Sequence, residues 1–419
     1  MSTHIGDTPN VKHPHQLFIG INDLLVYGSA ISRPTGIQRV ASGIAAELLQ
    51  HHRAVSVSIS PRGMRQANIP TSVGGSIAAR LAEPALRALA HTPRALQESL
   101  RRAARSVLSR VARERGGSLL APTPGAWLLV LGAPWIAPGM AEAAEVIKQR
   151  DGVRIALLIH DLLPATSPQW FADAQGQAAK REVETLIGTA DEIFSVSTEV
   201  ATELQSRYRK TATLLMPADP ELRSVTDSGR DSLVQEERTV LSVGTFHPRK
   251  NLVALVRIWD AWVKEVESSG GSMSSVPRLV LVGRRHPQDS ELFGVLAAHP
   301  RAARRITLIH TASDEQLADL YLSARFLVMP SLAEGWGLPV REALLAGRPS
   351  IATDAVPAAT GSPFARVIPA GDEQALATAI REWWDGDAPE RLSDEIQRSF
   401  TPRTWVNVAD ELVRQLTKK

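Results

Sequence analysis

The stretch RFLVMPSLAEGWGLPVREALLAG, residues 325–347, reads as a buried strand, a glycine-containing loop and a helix in direct succession. The apolar run from Phe326 to Pro330 predicts the strand. Pro339 stands where a first helical turn accepts a missing N–H, and Gly347 stands where a helix stops. A strand that passes through a loop into a helix is the building block of an open α/β sheet.

The same alternation of apolar runs and helical patterns extends over most of the 419 residues. A first set comprises QLFIGI, AVSVSIS, WLLVLG, RIALLIHD, EIFSVS and TLLM, and a second set TVLSVG, PRLVLVG, RITLIH, RFLVMP and PSIAT. A stretch rich in Pro, Asp, Ser and Gly at 217–237 separates the sets and predicts a linker. We therefore expect two mostly parallel α/β domains, at 1–225 and 226–394, and a terminal helix at 395–419 that crosses back toward the first domain.

The composition is that of a soluble globular protein, with 44% hydrophobic and 22% charged residues. No apolar run reaches the length of a membrane-spanning helix, and the N-terminus lacks the pattern of a signal peptide. The absence of cysteine excludes disulfides, thiol nucleophiles and Cys-ligated zinc. These features predict a cytoplasmic protein.

An arginine-rich insertion at about 76–117 interrupts the first domain, with nine Arg against three Glu. Within it, 94–115 has apolar residues at intervals of three or four and arginines mainly off that stripe. This pattern predicts a cationic amphipathic helix that binds the surface of an anionic membrane. The alternative is a helix packed on the sheet with a solvated arginine face.

Two carboxylates flank the glycines of the decisive loop, because Glu334 precedes Gly335 and Gly337, and Glu342 follows them. We expect Glu334 on the loop and Glu342 on the first helical turn, both beside the positive end of the helix dipole. Backbone N–H groups and two acceptor carboxylates would suit a ligand with hydroxyl and phosphate groups. The alternative is an acidic capping loop with one solvated glutamate.

A pair of cations follows another predicted strand, where TVLSVG leads into TFHPRKN. Arg249 and Lys250 precede Asn251, which is a good N-cap for the next helix. Two cations at a helix N-terminus form an anion site suited to a diphosphate. Surface cations are the alternative, but the glutamate loop in the same domain favours the binding site.

The first domain offers fewer candidates. His160 and Asp161 end the strand RIALLIHD, where a histidine could donate to a sugar hydroxyl, stabilise charge or cap the strand. Thr35 and Gly36 stand at a helix start, where Gly36 would let a ligand approach the backbone or form an N-cap turn. Neither GxxxxGK[ST] nor GxGxxG after a strand is present, nor is HExxH, so no cofactor and no metal are predicted.

Taken together, these motifs resemble the retaining glycosyltransferases of family 4, which have the GT-B fold of two facing Rossmann-like domains with a cleft between them. The resemblance is nearly continuous from about Val240 to Ile380, through VGTFHPRKN, LVLVG, the run from SDEQL to PSIAT, and PAGDEQALATAI. In the first domain it is limited to TGIQRV and IHDLLP. One departure is Thr245, where many members carry an arginine whose charge Arg249 would here supply.

The resemblance implies a role for each candidate residue. Lys250 and Arg249 would hold the nucleotide diphosphate, and Glu342 would accept from the ribose hydroxyls. The donor sugar would be positioned by the loop residues Glu334, Gly335, Trp336, Gly337 and Leu338. His160 would lie near the transferred sugar, and Thr35 and Gly36 near the diphosphate or the acceptor. The catalytic residues expected on this basis are His160, Lys250 and Glu334.

The resemblance also implies the reaction and its partners. A hexose, first of all mannose from GDP-mannose, would move to a glycan or polyprenyl-diphosphate-linked acceptor in the synthesis of a bacterial surface polysaccharide. The enzyme would need no metal, bind no nucleic acid and work in the cytoplasm, with a peripheral position on the inner face of the plasma membrane. The alternatives are UDP- or dTDP-sugar donors, and a nucleotide-sugar-binding scaffold with degenerate catalysis.

Overall fold

The computed structural model of the protein describes residues 16–25, 35–68, 118–171, 173–220, 222 and 239–418. The chain divides into two compact units. Unit 1 consists of Met1–Ala218 and Thr404–Lys419, and unit 2 of Asp219–Arg403. The division falls ahead of the predicted boundary between residues 225 and 226. The predicted insertion at 76–117, with its arginine-rich helix, lies outside the described residues, as does most of the predicted linker.

Unit 1 contains a seven-stranded sheet in the order β3-β2-β1-β4-β5-β6-β7. Neighbouring strands are parallel except the β2–β3 pair, which is antiparallel. The strands are β1 (Leu17–Gly20), β2 (Val55–Ser60), β3 (Gly63–Gln66), β4 (Trp127–Val130), β5 (Arg154–Ile159), β6 (Glu192–Ser195) and β7 (Thr213–Leu214). The central β4 is buried throughout, as its continuous apolar sequence requires of a parallel strand covered on both faces. The helices between the strands are α1 (Gly36–His51), α2 (Met140–Asp151), α3 (Leu163–Thr166), α4 (Asp173–Thr189) and α5 (Thr198–Tyr208).

Unit 2 contains a six-stranded parallel sheet in the order β10-β9-β8-β11-β12-β13. The strands are β8 (Thr239–Val243), β9 (Arg278–Val282), β10 (Ile306–Ile309), β11 (Ala324–Met329), β12 (Ser350–Thr353) and β13 (Ala365–Ile368). This is the strand order of a doubly wound Rossmann sheet. From β8 to β10 each new strand is added on one side, and from β11 onward on the other, so the switch point lies between β8 and β11. The prediction of two α/β domains with mostly parallel sheets is thereby confirmed.

The helices of unit 2 cover both faces of its sheet. They are α6 (Leu252–Ser268), α7 (Ser290–Ala298), α8 (Pro300–Ala303), α9 (Asp314–Ser323), α10 (Leu338–Leu345), α11 (Pro357–Thr360), α12 (Glu373–Asp385) and α13 (Ala388–Ser399). The amphipathic α6 buries Leu255, Trp259 and Val263 against the sheet. The Trp259 indole donates to the Pro277 carbonyl at 2.8 Å, so its one polar group is satisfied in the core.

The expected single helix at 395–419 is wrong, because two helices share this region. α13 ends at Ser399, and α14 (Trp405–Thr417) begins after an irregular stretch that contains Pro402. Proline disfavours helical backbone in the residue before it. The cap of α14 is Thr404: the Asn407 N–H donates to the Thr404 hydroxyl at 3.2 Å, and the Thr404 N–H donates to the Asn407 side chain at 3.0 Å. Within the described ranges, no helix is long and apolar enough to cross a membrane.

The packing of α14 on α1 depends on a glycine. A Cβ added at Gly43 would lie 2.5 Å from the Trp405 ring, whereas one added at Gly188 would meet no atom within 4 Å. Replacing glycine by alanine in a helix normally stabilises by about 1 kcal/mol, while overpacking costs about 1–3 kcal/mol. We therefore expect Gly43→Ala to lower the urea midpoint of unfolding and the control Gly188→Ala to raise it. Equal midpoints for the two variants would contradict this account of the α1–α14 contact.

Candidate functional site

The candidate site of unit 2 lies beyond the carboxyl ends of β8 and β11, the adjacent strands where the sheet order reverses. Ligands of doubly wound sheets bind at such a switch point. Two hydrogen bonds to backbone carbonyls join the loops that follow these strands. The Leu332 N–H donates to the Arg249 carbonyl at 2.7 Å, and the Arg249 guanidinium donates to the Ala333 carbonyl at 3.0 Å. The structure thus brings the two predicted binding segments of unit 2 together.

Glu334 pairs with both predicted cations at this point. Its Oε1 accepts from the Lys250 ammonium, and its Oε2 lies 2.7 Å from the Arg249 guanidinium. The side chains of Lys250 and Glu334 are only 10% and 8% exposed, so solvent screens their interaction weakly. The two cations thus share one carboxylate, and the Lys250 and Glu334 side chains are largely withdrawn from solvent.

Burial and charge act in opposite directions on the Glu334 carboxyl. Burial alone would raise its pKa, but Arg249 and Lys250 outweigh that effect and lower the pKa to about 2. Burial lowers the pKa of Lys250, and the neighbouring carboxylate of Glu334 opposes that shift. Glu334 is therefore a stable anion at neutral pH.

The turn that carries the cations is short and locally capped. Pro248–Lys250 form a single 3-10 turn, and the His247 ring accepts from the Arg249 N–H at 3.1 Å. Asn251 follows in the left-handed region with φ +51°, which asparagine tolerates better than most residues. Asn251 occupies the predicted cap position before α6, but its side chain makes no capping hydrogen bond, so the expected side-chain cap is wrong.

The glycine loop depends on backbone that only glycine adopts easily. Gly337 has φ +111°, and a Cβ at this position would lie 2.5 Å from Val356. Helix α10 starts at Leu338, directly after it. Glu342 is the fifth residue of that helix and so lies on its second turn, not on the first turn as predicted. Its side chain is buried and accepts from the Tyr321 hydroxyl at 2.5 Å.

The predicted residues of the first domain lie in unit 1. His160 follows β5 and is buried, and its Nε2 lies 2.7 Å from the Leu131 carbonyl, which can only accept. Burial lowers the pKa of His160 to about 4, so the ring is neutral at pH 7. At the start of α1, the Thr35 hydroxyl contacts the Gln38 side chain, and Gly36 is exposed.

Comparison with known proteins identifies part of unit 2. Residues 237–385 match the family model described as glycosyl transferases group 1. These residues are a group 1 glycosyltransferase domain. They contain Arg249, Lys250, Glu334 and Glu342, and so the whole charged site described above.

Curated relatives match over a longer stretch than this domain. The chain is 24% identical over 309 residues to the serotype-specific mannosyltransferase WbdA of Escherichia coli. The alignment covers 65% of this chain and 35% of WbdA. The chain thus spans about a third of the length of the curated relatives it matches first.

Solved structures of similar fold align with most of this chain. Sucrose-phosphate synthase from Thermosynechococcus elongatus aligns with a TM-score of 0.61 and 19% identity, over 96% of this chain and 98% of that one. Anabaena HepE, whose crystal structure contains UDP-glucose, aligns with a TM-score of 0.58 and 15% identity, over 97% and 100% of the two chains. The predicted fold class is confirmed as GT-B, with one group 1 domain and a second Rossmann-like domain.

Sequence reasoning missed two buried acids. Asp23 follows β1 and accepts from the Ala133 N–H at 2.9 Å, and burial raises its pKa to about 6. In the unit that contains the group 1 domain, Asp219 accepts from Arg341 Nε and Nη2 at 2.5 and 2.7 Å. A polar pair directly after the strand QLFIGI was a usable signal for Asp23. No local signal connects Asp219 with a residue so distant in sequence.

Metal binding finds no support in the described ranges, which contain no group of three or more His, Asp or Glu side chains that could hold an ion. Asp385 and Asp387, the Asp-x-Asp pair of the sequence, lie at the end of α12 and just before α13. Neither residue lies at a strand exit. The metal independence of the group 1 domain stays a prediction.

The pKa of His160 predicts a pH dependence of stability. Its pKa is about 4 in the folded protein and 6.5 as the reference value, so the unfolded chain binds the proton first as the pH falls. Stability should therefore be lost between pH 6.5 and pH 4, by on the order of 3 kcal/mol from this residue. The measurement is urea unfolding of wild type and His160→Gln across that range.

The difference in stability between wild type and His160→Gln isolates the contribution of His160. Asp23 has a raised pKa and changes the pH dependence in the opposite direction, but it does so equally in both proteins. The variant should lose less stability toward pH 4 than the wild type does. His51→Gln, which changes an exposed histidine on α1, should keep the wild-type profile. Parallel profiles for wild type and His160→Gln would contradict the assignment.

Proposed function

We propose that the protein is a glycosyltransferase that moves a hexose from a nucleotide diphosphate sugar to an acceptor hydroxyl in polysaccharide synthesis. The observation that carries the proposal is the buried cluster of Lys250, Arg249 and Glu334 at the switch point of a group 1 domain. Two cations and a carboxylate at one strand edge suit a ligand that joins a diphosphate to a sugar. Matches to mannosyltransferases of Escherichia coli and to the GT-B fold support the same class.

Lys250 and Arg249 would stabilise the diphosphate as it leaves. Negative charge on the leaving group grows toward the transition state, so preorganised cations stabilise that state more than the bound substrate. The planar guanidinium of Arg249 can bind two oxygens, while the ammonium of Lys250 acts as a point charge. The burial of Lys250 strengthens its interaction because little water competes, whereas the Arg249 side chain is 25% exposed.

The glycine loop would bind the sugar and Glu342 the ribose. Glu334 would accept from hydroxyls of the donor hexose, aided by the backbone of Gly335, Trp336 and Gly337, with Leu338 at the start of α10. Glu342 would accept from the ribose hydroxyls. These roles are compatible with acceptor-only carboxylates that are anchored by neighbouring side chains.

In unit 1, His160 would contact the transferred hexose as a neutral ring, consistent with its lowered pKa. Thr35 and Gly36 would bind the diphosphate or the acceptor at the start of α1. We propose retention at the anomeric carbon by front-face attack, in which a leaving phosphate oxygen takes the proton of the acceptor hydroxyl. The reaction would need no metal, since Lys250 and Arg249 would neutralise the diphosphate.

Mannose from GDP-mannose is the donor we propose first, since curated relatives are mannosyltransferases. UDP- and dTDP-sugars are the alternatives, and the HepE structure contains UDP-glucose. A thermal-shift panel of GDP, UDP and dTDP tests the base, because a ligand that binds only the folded state raises its melting temperature. We expect the largest shift with GDP. A larger shift with UDP or dTDP would reassign the donor.

The acceptor we propose is a growing glycan or a polyprenyl-diphosphate-linked glycan. The enzyme would act in the cytoplasm at the inner face of the plasma membrane, held there by the arginine-rich segment 94–115. Its charge and apolar spacing are those of a helix that binds an anionic surface. Flotation with liposomes, with and without anionic lipid, measures this directly, and an absence of lipid dependence would remove the membrane from the proposal.

Lys250→Ala tests the proposed chemistry. Loss of one preorganised charge at a transition state typically costs about 2–4 kcal/mol, so turnover should fall by roughly 10²–10³-fold. The measurement is acceptor-dependent release of nucleoside diphosphate from the donor. Lys264→Ala is the matched control, since Lys264 lies on α6 of the same unit with its side chain 63% exposed.

Both variants should unfold cooperatively, which separates loss of turnover from loss of fold. Near-wild-type turnover in Lys250→Ala would remove this residue from the mechanism. Binding of nucleotide sugar by the wild type without acceptor-dependent release would instead support a binding scaffold. No binding of any nucleotide sugar would defeat the proposed function.

A further inference from the structure

Glu342 has a buried partner that the proposed roles do not use. The Tyr321 hydroxyl on α9 donates to Glu342 Oε2 at 2.5 Å, and the two residues are 0% and 2% exposed. A short hydrogen bond from a hydroxyl to a carboxylate is stronger than one between neutral groups. Neither side chain can exchange this contact for bulk water.

The ring of Tyr321 is held by the core of the group 1 domain. It packs in a cluster with Leu241 of β8, Val280 of β9 and Leu327 of β11. Of these strands, β8 and β11 flank the switch point of the sheet, and β9 lies next to β8. The position of the hydroxyl is therefore fixed by the same sheet that places the loops after β8 and β11.

Glu342 also interacts electrostatically with Lys250 of the site described above. Its negative charge raises the pKa of Lys250, against the effect of burial. The carboxylate thus lies within electrostatic range of the proposed diphosphate site. In a nucleotide the ribose is bonded directly to the diphosphate, so a carboxylate close to the diphosphate site is placed to reach the ribose of the nucleoside.

We propose that Tyr321 is a positioning residue that orients the Glu342 carboxylate toward the ribose of the donor nucleotide. The inference rests on the proposed function, since it requires a nucleoside diphosphate in unit 2. A carboxylate has about four acceptor sites on its two oxygens, and Tyr321 engages one oxygen. The rotation of the carboxylate is thereby set before the ligand binds, which removes an ordering cost from binding.

The test compares GDP with 2′,3′-dideoxy-GDP, which lacks both ribose hydroxyls, and repeats the pair with UDP and 2′,3′-dideoxy-UDP. The wild type should prefer the ribonucleotide by roughly tenfold in Kd, as expected for hydrogen bonds to a charged group. Tyr321→Phe keeps the ring and removes the donor. Its preference should fall to about threefold or less, because Kd for the ribonucleotide rises while Kd for the dideoxynucleotide is nearly unchanged.

Tyr208→Phe is the matched control, since the Tyr208 hydroxyl donates to Glu184 at 3.2 Å in unit 1. It should keep the wild-type preference. A merely structural role of Tyr321 would weaken both nucleotides equally and leave the ratio unchanged, which would overturn the inference. Failure of every nucleotide to bind the wild type would overturn the proposed function together with it, so the two failures are distinguishable.

Removal of the hydroxyl leaves a buried charge without this donor, so Tyr321→Phe could fail to fold. The same comparison is then made in the Glu342→Gln background, where the neutral amide costs less to bury. Adding Tyr321→Phe to Glu342→Gln should lower the ribonucleotide preference further. An unchanged ratio between these two proteins would also overturn the inference.

Discussion

The pairing of Glu334 with Lys250 and Arg249 constrains the whole switch-point edge of unit 2. An unpaired charge in this position would carry a large desolvation penalty, so the three side chains must be brought together when the domain folds. The cations follow β8 and the carboxylate follows β11, which makes the pairing a link between the two central strands. In the proposed function, the same cluster would bind the diphosphate of the donor. The ion pairs therefore connect the loops after β8 and β11 at the edge where the proposed ligand would bind.

Burial has opposite consequences for acids and bases elsewhere in the protein. In unit 1 it raises the pKa of Asp23 and lowers the pKa of His160, since both groups resist ionisation away from water. In unit 2 the Glu334 side chain is only 8% exposed, yet its pKa is lowered because Arg249 and Lys250 lie beside it. The difference shows that local charge, not depth alone, decides the ionisation of these sites.

Much of the architecture could be predicted from the sequence because it depends on local pattern. Short apolar runs between helical patterns are sufficient for two parallel sheets, and the cations and glutamates at strand exits are sufficient for a candidate site in unit 2. Contacts between distant segments could not be predicted in this way. Tyr321 lies in the last turn of α9, where no local pattern distinguishes it, and Asp219 meets Arg341 only through the tertiary fold.

Details of helix ends were also beyond local pattern. The position of Glu342 on the second turn follows from Gly337, whose backbone brings the chain into α10 one residue before Pro339. The break before α14 has two causes. Pro402 disfavours helical backbone in the residue before it, and the Thr404 capping box starts the new helix after it. Both are decided by how neighbouring residues share a few hydrogen bonds, and several adjacent residues were plausible caps on sequence alone.

Asp219 holds the two ends of unit 2 together. Its N–H donates to the Arg403 carbonyl at 2.8 Å, and the Arg403 N–H donates to its carboxylate at 2.7 Å. Asp219 and Arg403 are the first and last residues of the unit, so its two ends meet in one reciprocal pair. A unit whose two ends lie side by side can be joined to the rest of a chain at a single place. Exchange of this cassette between related enzymes is therefore geometrically simple, and so is circular permutation of the isolated segment.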